Sequence, residues 1–228
     1  MVGEDVDMAS NLKKVRERIA RAANRAGRSP DEVTLVVVSK TIDMARIREA
    51  VKLGVTHVGE NRVQEAQSKI EALTAEGLRP TWHMVGHLQT NKAKDAVRLF
   101  DIIQSVDSLH LAETLSLLAT RIIPILVEVN VAGEATKEGF RLQEVSEAVE
   151  KIRTLPNLEV LGLMTVAPLV ADPEEVRPVF RSLRQSGQGL GLRHLSMGMT
   201  DDFEVAIEEG ATIVRIGRAI FGERKEDK

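Results

Sequence analysis

LVVVSK, residues 35–40, is a continuous apolar run of mostly β-branched residues closed by Ser39 and Lys40. A strand exposed on one face alternates polar and apolar side chains, whereas an unbroken run belongs in a parallel sheet covered on both faces. Upstream, Leu12, Val15, Ile19, Ala22 and Ala23 recur at spacings of three and four between Met8 and Ala26, which predicts an amphipathic leading helix. Gly27, followed by Ser29 and Pro30, supplies its stop. Downstream, helical and strand patterns alternate. Helices are predicted over 43–53, 61–76, 90–99, 108–119, 141–153, 173–187 and 201–209, and further strands over 56–59, 81–85, 101–105, 124–130, 159–164, 193–196 and 212–216. Eight strands, each followed by a helix or helical turn, imply a parallel sheet with right-handed crossovers. The expected fold is α/β, a (β/α)8 TIM barrel with an extra N-terminal helix, in a single domain spanning 1–228. AVKLGVTHVG from Ala50 and AIEEGATIVRIG from Ala206 share a helix end, a capping glycine (Gly54, Gly210) and a Thr-led strand, one αβ loop used twice. No G-x-G-x-x-G follows a strand, which weakens a dinucleotide-binding reading.

Composition narrows the function. The chain has 228 residues with 43% hydrophobic content, enough for one well-buried core. The net charge is -3 and the basic residues are scattered among acids, so no cationic stripe offers a footprint for nucleic acid. Cysteine is absent, which excludes disulfides, thiol catalysis and thiolate metal sites. The leading MVGEDVD is acidic where a secretory signal is basic, and no apolar segment follows it. The longest apolar stretches, Val33 to Val38 and Ile122 to Val129, are far shorter than the roughly 18 residues a bilayer requires. A cytoplasmic protein without a membrane or nucleic-acid partner is expected. Tyrosine is absent too, so no phenol is available for acid/base work.

In a barrel of this kind the site lies where the strands end and the βα loops converge. Lys40 closes the first strand, Glu60 and Asn61 follow the second, and His83 to His87 lie at the third. Asn130, Met164 with Thr165, and Ser196 follow the fifth, sixth and seventh, and Arg215 and Gly217 end the eighth. Behind its apolar run the Lys40 ammonium is partly desolvated, which favours the neutral amine that Schiff-base chemistry requires. LSMGMTDDFEVAI places Ser196 and Gly198 before a helix with Thr200 or Asp201 as its cap, and IGRAIFG places Gly217 before a short final helix. Both segments are candidate phosphate cradles made of main-chain N–H groups. His83 and His87 are four apart but on a strand, with no Glu or Cys placed to complete a metal site, so they are read as packing or hydrogen-bonding histidines. Asp201 and Asp202 complement the helix dipole, and the terminal ERKEDK is a solvated tail. A strand-end lysine with a phosphate cradle suits a pyridoxal-phosphate protein or a Schiff-base aldolase on a phosphorylated sugar. A barrel used only to bind other proteins would not depend on Lys40.

Six segments together carry a resemblance: VVVSKT at 36–41, VGENRVQE at 58–65, WHMVGHLQTNK at 82–92, VEVNVAGEATKEGF at 127–140, LGLMTVAP at 161–168 and LSMGMTDDFEVAIEEGATIVRIGRAIFGER at 195–224. The chain closely resembles the YggS/PROSC family of pyridoxal 5′-phosphate (PLP) homeostasis proteins, almost end to end. The resemblance implies a fold like the N-terminal domain of alanine racemase, without the second domain. It implies that Lys40 is the Schiff-base lysine and that Ser196, with the backbone around Gly217 and Arg218, holds the phosphate. It further implies that Asn61 and His83 line the ring, that Arg215 faces the pyridine nitrogen, and that Met164, Met197 and Gly198 contact the cofactor. A permanent cation at that nitrogen disfavours its protonation and mutes carbanion chemistry. The implied role is storage, buffering or delivery of PLP without turnover, with PLP-dependent apoenzymes as partners, in a monomer or weak homodimer. A PLP-dependent racemase or lyase is the alternative; the racemase of similar fold uses a phenol that this chain lacks. Lys137 matches a lysine in the family's corresponding loop and offers a second amine. Arg218 departs from the Thr or Ser of many relatives, which leaves its side chain without an implied role.

Overall fold

The computed structural model describes residues 7–222; the segments MVGEDV and ERKEDK, read above as a leader without signal character and a solvated tail, lie outside the described residues. The leading helix α1 (Met8–Arg25) starts at Asp7, whose carboxylate accepts the Ser10 amide, and buries Met8, Leu12, Val15, Ile19, Ala22 and Ala23. The three-four spacing therefore does put one apolar stripe against the core.

Strand and helix then alternate as β1 (Thr34–Val38), α2 (Met44–Lys52), β2 (His57–Glu60), α3 (Val63–Ala75), β3 (Thr81–Met84), α4 (Ala93–Leu99), β4 (Ile102–Val106) and α5 (Leu109–Leu118). The second half runs β5 (Ile123–Asn130), β6 (Phe140–Arg141), α6 (Val145–Arg153), β7 (Leu158–Met164), α7 (Arg177–Gly189), β8 (His194–Ser196), α8 (Phe203–Glu208), β9 (Ile213–Ile216) and α9 (Arg218–Phe221). Sheet order is β4-β3-β2-β1-β9-β8-β7-β5, all parallel, and a β4–β5 pairing closes it into an eight-stranded barrel with no free edge.

Three local departures from the sequence reading have physical causes. The segment left as a loop before residue 141 contains β6, which Phe140 and Arg141 form by pairing with Val129 and Asn130. The helix predicted over 90–99 opens as a 3-10 turn, Thr90–Lys92, with no side-chain cap. The helix predicted over 201–209 starts at Phe203, and its N-cap is Asp202 rather than Thr200 or Asp201; the Asp202 carboxylate folds back to accept the Met199 amide at 2.6 Å.

The repeated αβ loop is confirmed bond for bond. Gly54 and Gly210 adopt φ of 83° and 99°. The amide after each returns to the helix, Val55 to the Ala50 carbonyl and Ala211 to the Ala206 carbonyl. Only glycine takes that left-handed turn without cost.

The strands separate two interiors. Val37, Val58, Leu163, Val214 and Ile216 pack outward against the helices in the main apolar core. Val36, Leu126, Met164 and Ile213, with Leu161, form a small apolar cluster of their own inside the barrel. Beside it, the barrel interior holds buried polar side chains, among them His83, Gln104, Ser196 and Arg215. Buried polar side chains in a barrel interior require mutual partners, which is where the site begins. No helix among the described residues is long and apolar enough to cross a membrane.

Candidate functional site

Lys40 lies two residues beyond the end of β1, half-buried, on a cavity of about 890 Å³ that is also lined by Asn61, Arg62, Met84, His87 and Lys92. Thr41, which follows it, has φ of 63°, an uncommon backbone state for a β-branched residue. The turn is tied to α3: the Thr41 amide donates to Glu65 at 2.6 Å, and Lys69 donates to the Ser39 carbonyl at 2.7 Å.

Inside the barrel one hydrogen-bonded row crosses the lumen, and chemistry fixes its direction. A guanidinium only donates. Arg215 donates to the Ser196 hydroxyl at 2.6 Å and to the Thr165 carbonyl at 2.7 Å. Ser196 passes its own hydrogen to Gln104 Oε1 at 2.6 Å. The Gln104 amide nitrogen then donates to His83 Nδ1 at 2.8 Å. The remaining His83 hydrogen sits on Nε2, 2.9 Å from His57 Nδ1. Burial, reinforced by His57, pushes His83 down to about 3, so the ring is neutral with both nitrogens engaged. Burial also lowers Arg215, to about 10, against the attraction of Glu128 and Asp202, so the guanidinium remains charged at neutral pH. One fixed cation is thus held in the lumen by a row of neutral groups.

The glycine segments lie where β8 and β9 end. The Gly198 carbonyl accepts the Arg215 amide at 3.0 Å, and Gly198 has φ of 94°. A side chain at Gly217 would meet the Val38 carbonyl at 2.9 Å, so this turn packs directly on the strand that leads to Lys40. In α9 the Ile220 and Phe221 amides both return to the Gly217 carbonyl, which leaves the amides before them at the open end of the turn. Arg218, at the start of α9, pairs its guanidinium with Asp201.

The sequence-read residues divide accordingly. Lys40 and Asn61 share the cavity. His83, Ser196 and Arg215 share the lumen row, and the Ser196 hydroxyl is committed within it. Met164 belongs to the inner apolar cluster, whereas Met197 belongs to the outer core, so Met197 can reach the lumen only through its main chain. Lys137 pairs with Glu134 at 2.5 Å.

Two groups escaped the sequence reading. Gln104 is the link that joins Arg215 to the histidines. Glu128 stands among inward-facing positions of β5, and burial, then the Asp107 carboxylate, pushes it up to about 7. Their only signal is a polar residue inside an apolar strand, IIQSV or ILVEVN. His87 is also better furnished than expected: the fold brings Asp107 and Glu138 to it, with one ligand-type atom from each within 4.8 Å of the others.

Glu128 leads to a pH test. Its folded value lies above the ordinary carboxylate value of 4.5, so the folded state holds the proton more tightly than the unfolded one and loses stability as pH rises from 4.5 to about 7. Glu128→Gln removes that cost. Its stability advantage over the parent is expected to be under about 1 kcal/mol near pH 5 and to approach about 3 kcal/mol near pH 8 in denaturant titrations. An advantage equal at both pH values contradicts the assignment.

Comparison with known proteins places this geometry. The family model for the alanine racemase N-terminal domain matches residues 10–225. The pyridoxal phosphate homeostasis protein of Aquifex aeolicus is 46% identical over 229 residues, covering 96% of this chain and 100% of that protein. The protein of the same name from Escherichia coli is 39% identical over 233 residues, covering 97% and 99%. Among solved structures, PipY of Synechococcus elongatus, determined with PLP bound, superposes with a TM-score of 0.84 at 36% identity, covering 95% of this chain and 100% of PipY. Alanine racemase from Corynebacterium glutamicum has a TM-score of 0.69 at 17% identity, covering 93% of this chain but 62% of the racemase, a likeness of fold alone.

Proposed function

Since this chain belongs to the pyridoxal phosphate homeostasis proteins within the alanine racemase N-terminal domain family, we propose that it binds PLP reversibly through Lys40 and serves to store, buffer and deliver the cofactor. The observation that supports the site is the close approach of Gly217 to Val38, which brings the turn read as a phosphate cradle beside the strand that leads to Lys40.

The residues present fit the group. When bound, PLP supplies an aldehyde that condenses reversibly with a primary amine, releasing water. Lys40 offers that amine at the cavity, half-buried rather than fully solvated. Main-chain N–H groups around Gly198 and Gly217 would hold the phosphate, beside Ser196, whose hydroxyl is engaged with Arg215 and Gln104. Asn61, on the Lys40 cavity, and His83, in the lumen row, would line the ring, with Met164 in the inner apolar cluster beside them. Arg215 keeps its proton and would disfavour protonation of a ring nitrogen placed against it.

The same residues argue for a carrier over an enzyme. Racemisation needs a second positioned acid/base beside the lysine. The chain has no tyrosine, His83 is neutral with both nitrogens occupied, and His87 on the Lys40 cavity is paired with Asp107, which leaves Glu128 on β5 as the acid/base that the turnover test below addresses. We therefore assign no turnover, PLP-dependent apoenzymes as recipients, a cytoplasmic setting, and a monomer or weak homodimer as the working form.

The test is delivery against turnover. PLP-loaded protein, freed of excess cofactor, is mixed with a PLP-dependent apoenzyme, and separately with L-alanine. Recovery of apoenzyme activity, with alanine racemised no faster than by free PLP, is the expected result. Sustained racemisation that depends on the protein would overturn the carrier reading.

A further inference from the structure

Behind the Lys40 turn lies a buried ionic cluster that nothing in the lumen requires. Lys69 on α3 is 6% exposed and Glu60 at the end of β2 is 0% exposed, with Nζ 2.7 Å from Oε1. The ammonium has three hydrogens, and three acceptors take them: Glu60, Glu65 at 2.6 Å and the Ser39 carbonyl at 2.7 Å. Glu65 accepts the Thr41 amide through the same oxygen that takes the Lys69 proton. The Ser39 hydroxyl closes the cluster on Glu60. The peptide group before Lys40 is therefore fastened to the ammonium directly and the one after it through Glu65, and Thr41 is held there in its left-handed state.

Stability alone is a poor reason for such a cluster. Burying a charged pair costs about what it returns, and an apolar pair of equal volume often does better. Glu60 Oε2 also has no hydrogen-bond partner among the described residues, so the carboxylate is incompletely satisfied. Burial raises the Glu60 carboxyl even against Lys69 and Ser39. What the cluster does accomplish is directional: it holds a strained turn that, left to itself, relaxes and re-aims the side chain between its two fastened peptides.

We infer that Lys69, with Glu60 and Glu65, positions Lys40 for its linkage to the cofactor by clamping the peptide groups on either side of it. This rests on the reading of Lys40 given above. The three residues act through the backbone and touch no cofactor, so they are positioning residues. Their loss slows formation of the linkage and shifts its pH midpoint, because the amine is no longer presented in one environment.

The experiment compares the parent with Glu65→Ala, with Lys69→Met/Glu60→Gln, which removes both buried charges at nearly constant volume, and with Leu73→Ala, a core truncation on the same helix. Each is mixed with PLP, and the rate and pH midpoint of the visible band are recorded beside a thermal melt. Glu65→Ala and the double variant are expected to form the band about tenfold more slowly with a displaced midpoint. Leu73→Ala is expected to melt earlier yet stay within about twofold of the parent. Parent-like rate and midpoint in Glu65→Ala overturn the inference, and this partly exposed position decides the matter even if the double variant does not fold. So does a Leu73→Ala effect as large as theirs, which would make the cluster merely structural. A parent that forms no band removes the reading of Lys40 itself, and this inference with it.

Discussion

Lys40→Ala is expected to abolish the visible absorbance that the parent develops with PLP and to weaken PLP retention in equilibrium dialysis by about a hundredfold, some 2.7 kcal/mol. The size follows from what is removed. Lys40 is half-buried at the mouth of the cavity and belongs to neither apolar cluster, so truncation leaves the barrel intact. The glycine turns proposed as the cradle and Arg215 are untouched, so a weaker, non-covalent hold on the phosphate and ring is expected to remain. A melting temperature close to the parent's, with residual PLP binding but no visible band, is the signature of a lost linkage rather than a lost fold. Retention of the band in Lys40→Ala contradicts it.

Gly198→Val is the second large effect. Two independent costs coincide there: φ of 94° disfavours any side chain, and a Cβ would stand 2.6 Å from the Ala206 Cβ and 2.8 Å from the Phe203 Cα. Backbone strain and overpacking together are expected to cost about 3 kcal/mol of folding stability in urea titrations. The loop that carries the cradle must move, and its carbonyl holds the Arg215 amide, so PLP affinity is expected to fall at least about tenfold. Gly27→Ala is the companion: φ is 67° but nothing lies within 4 Å, so only the strain remains, about 1 kcal/mol, and PLP binding is unchanged. Equal losses in the two variants would mean that the close packing under Gly198 does not matter.

The barrel strands are legible in the sequence because short strand-like segments alternate with helical stretches, most plainly the apolar runs of β1 and β5, and the helix stops at Gly54 and Gly210 are legible as glycines followed by strand-forming residues. That Lys40, Gly198 and Gly217 lie at the same end of the barrel is legible because a barrel brings strand ends to one face. What the strands conceal is which alternate face lines the lumen. In IIQSV and ILVEVN both faces are buried, so period two carries no label for inside, and Gln104 and Glu128 read as isolated polar residues. Glu65 and Lys69 are concealed differently. Four apart on a helix, they look like an ordinary exposed ion pair, and only the docking of α3 behind the Lys40 turn buries the ammonium. Arg218 could not be resolved at all until Asp201, seventeen residues earlier, was placed beside it.

The most direct test of the central claim, that Lys40 is the covalent PLP site, is chemical mapping. Protein saturated with PLP is reduced with borohydride, digested, and its peptides weighed. The expected result is one pyridoxyl adduct, near stoichiometric, on the peptide containing Lys40. An unmodified Lys40, with the adduct on Lys137 or another lysine or absent altogether, would contradict the account.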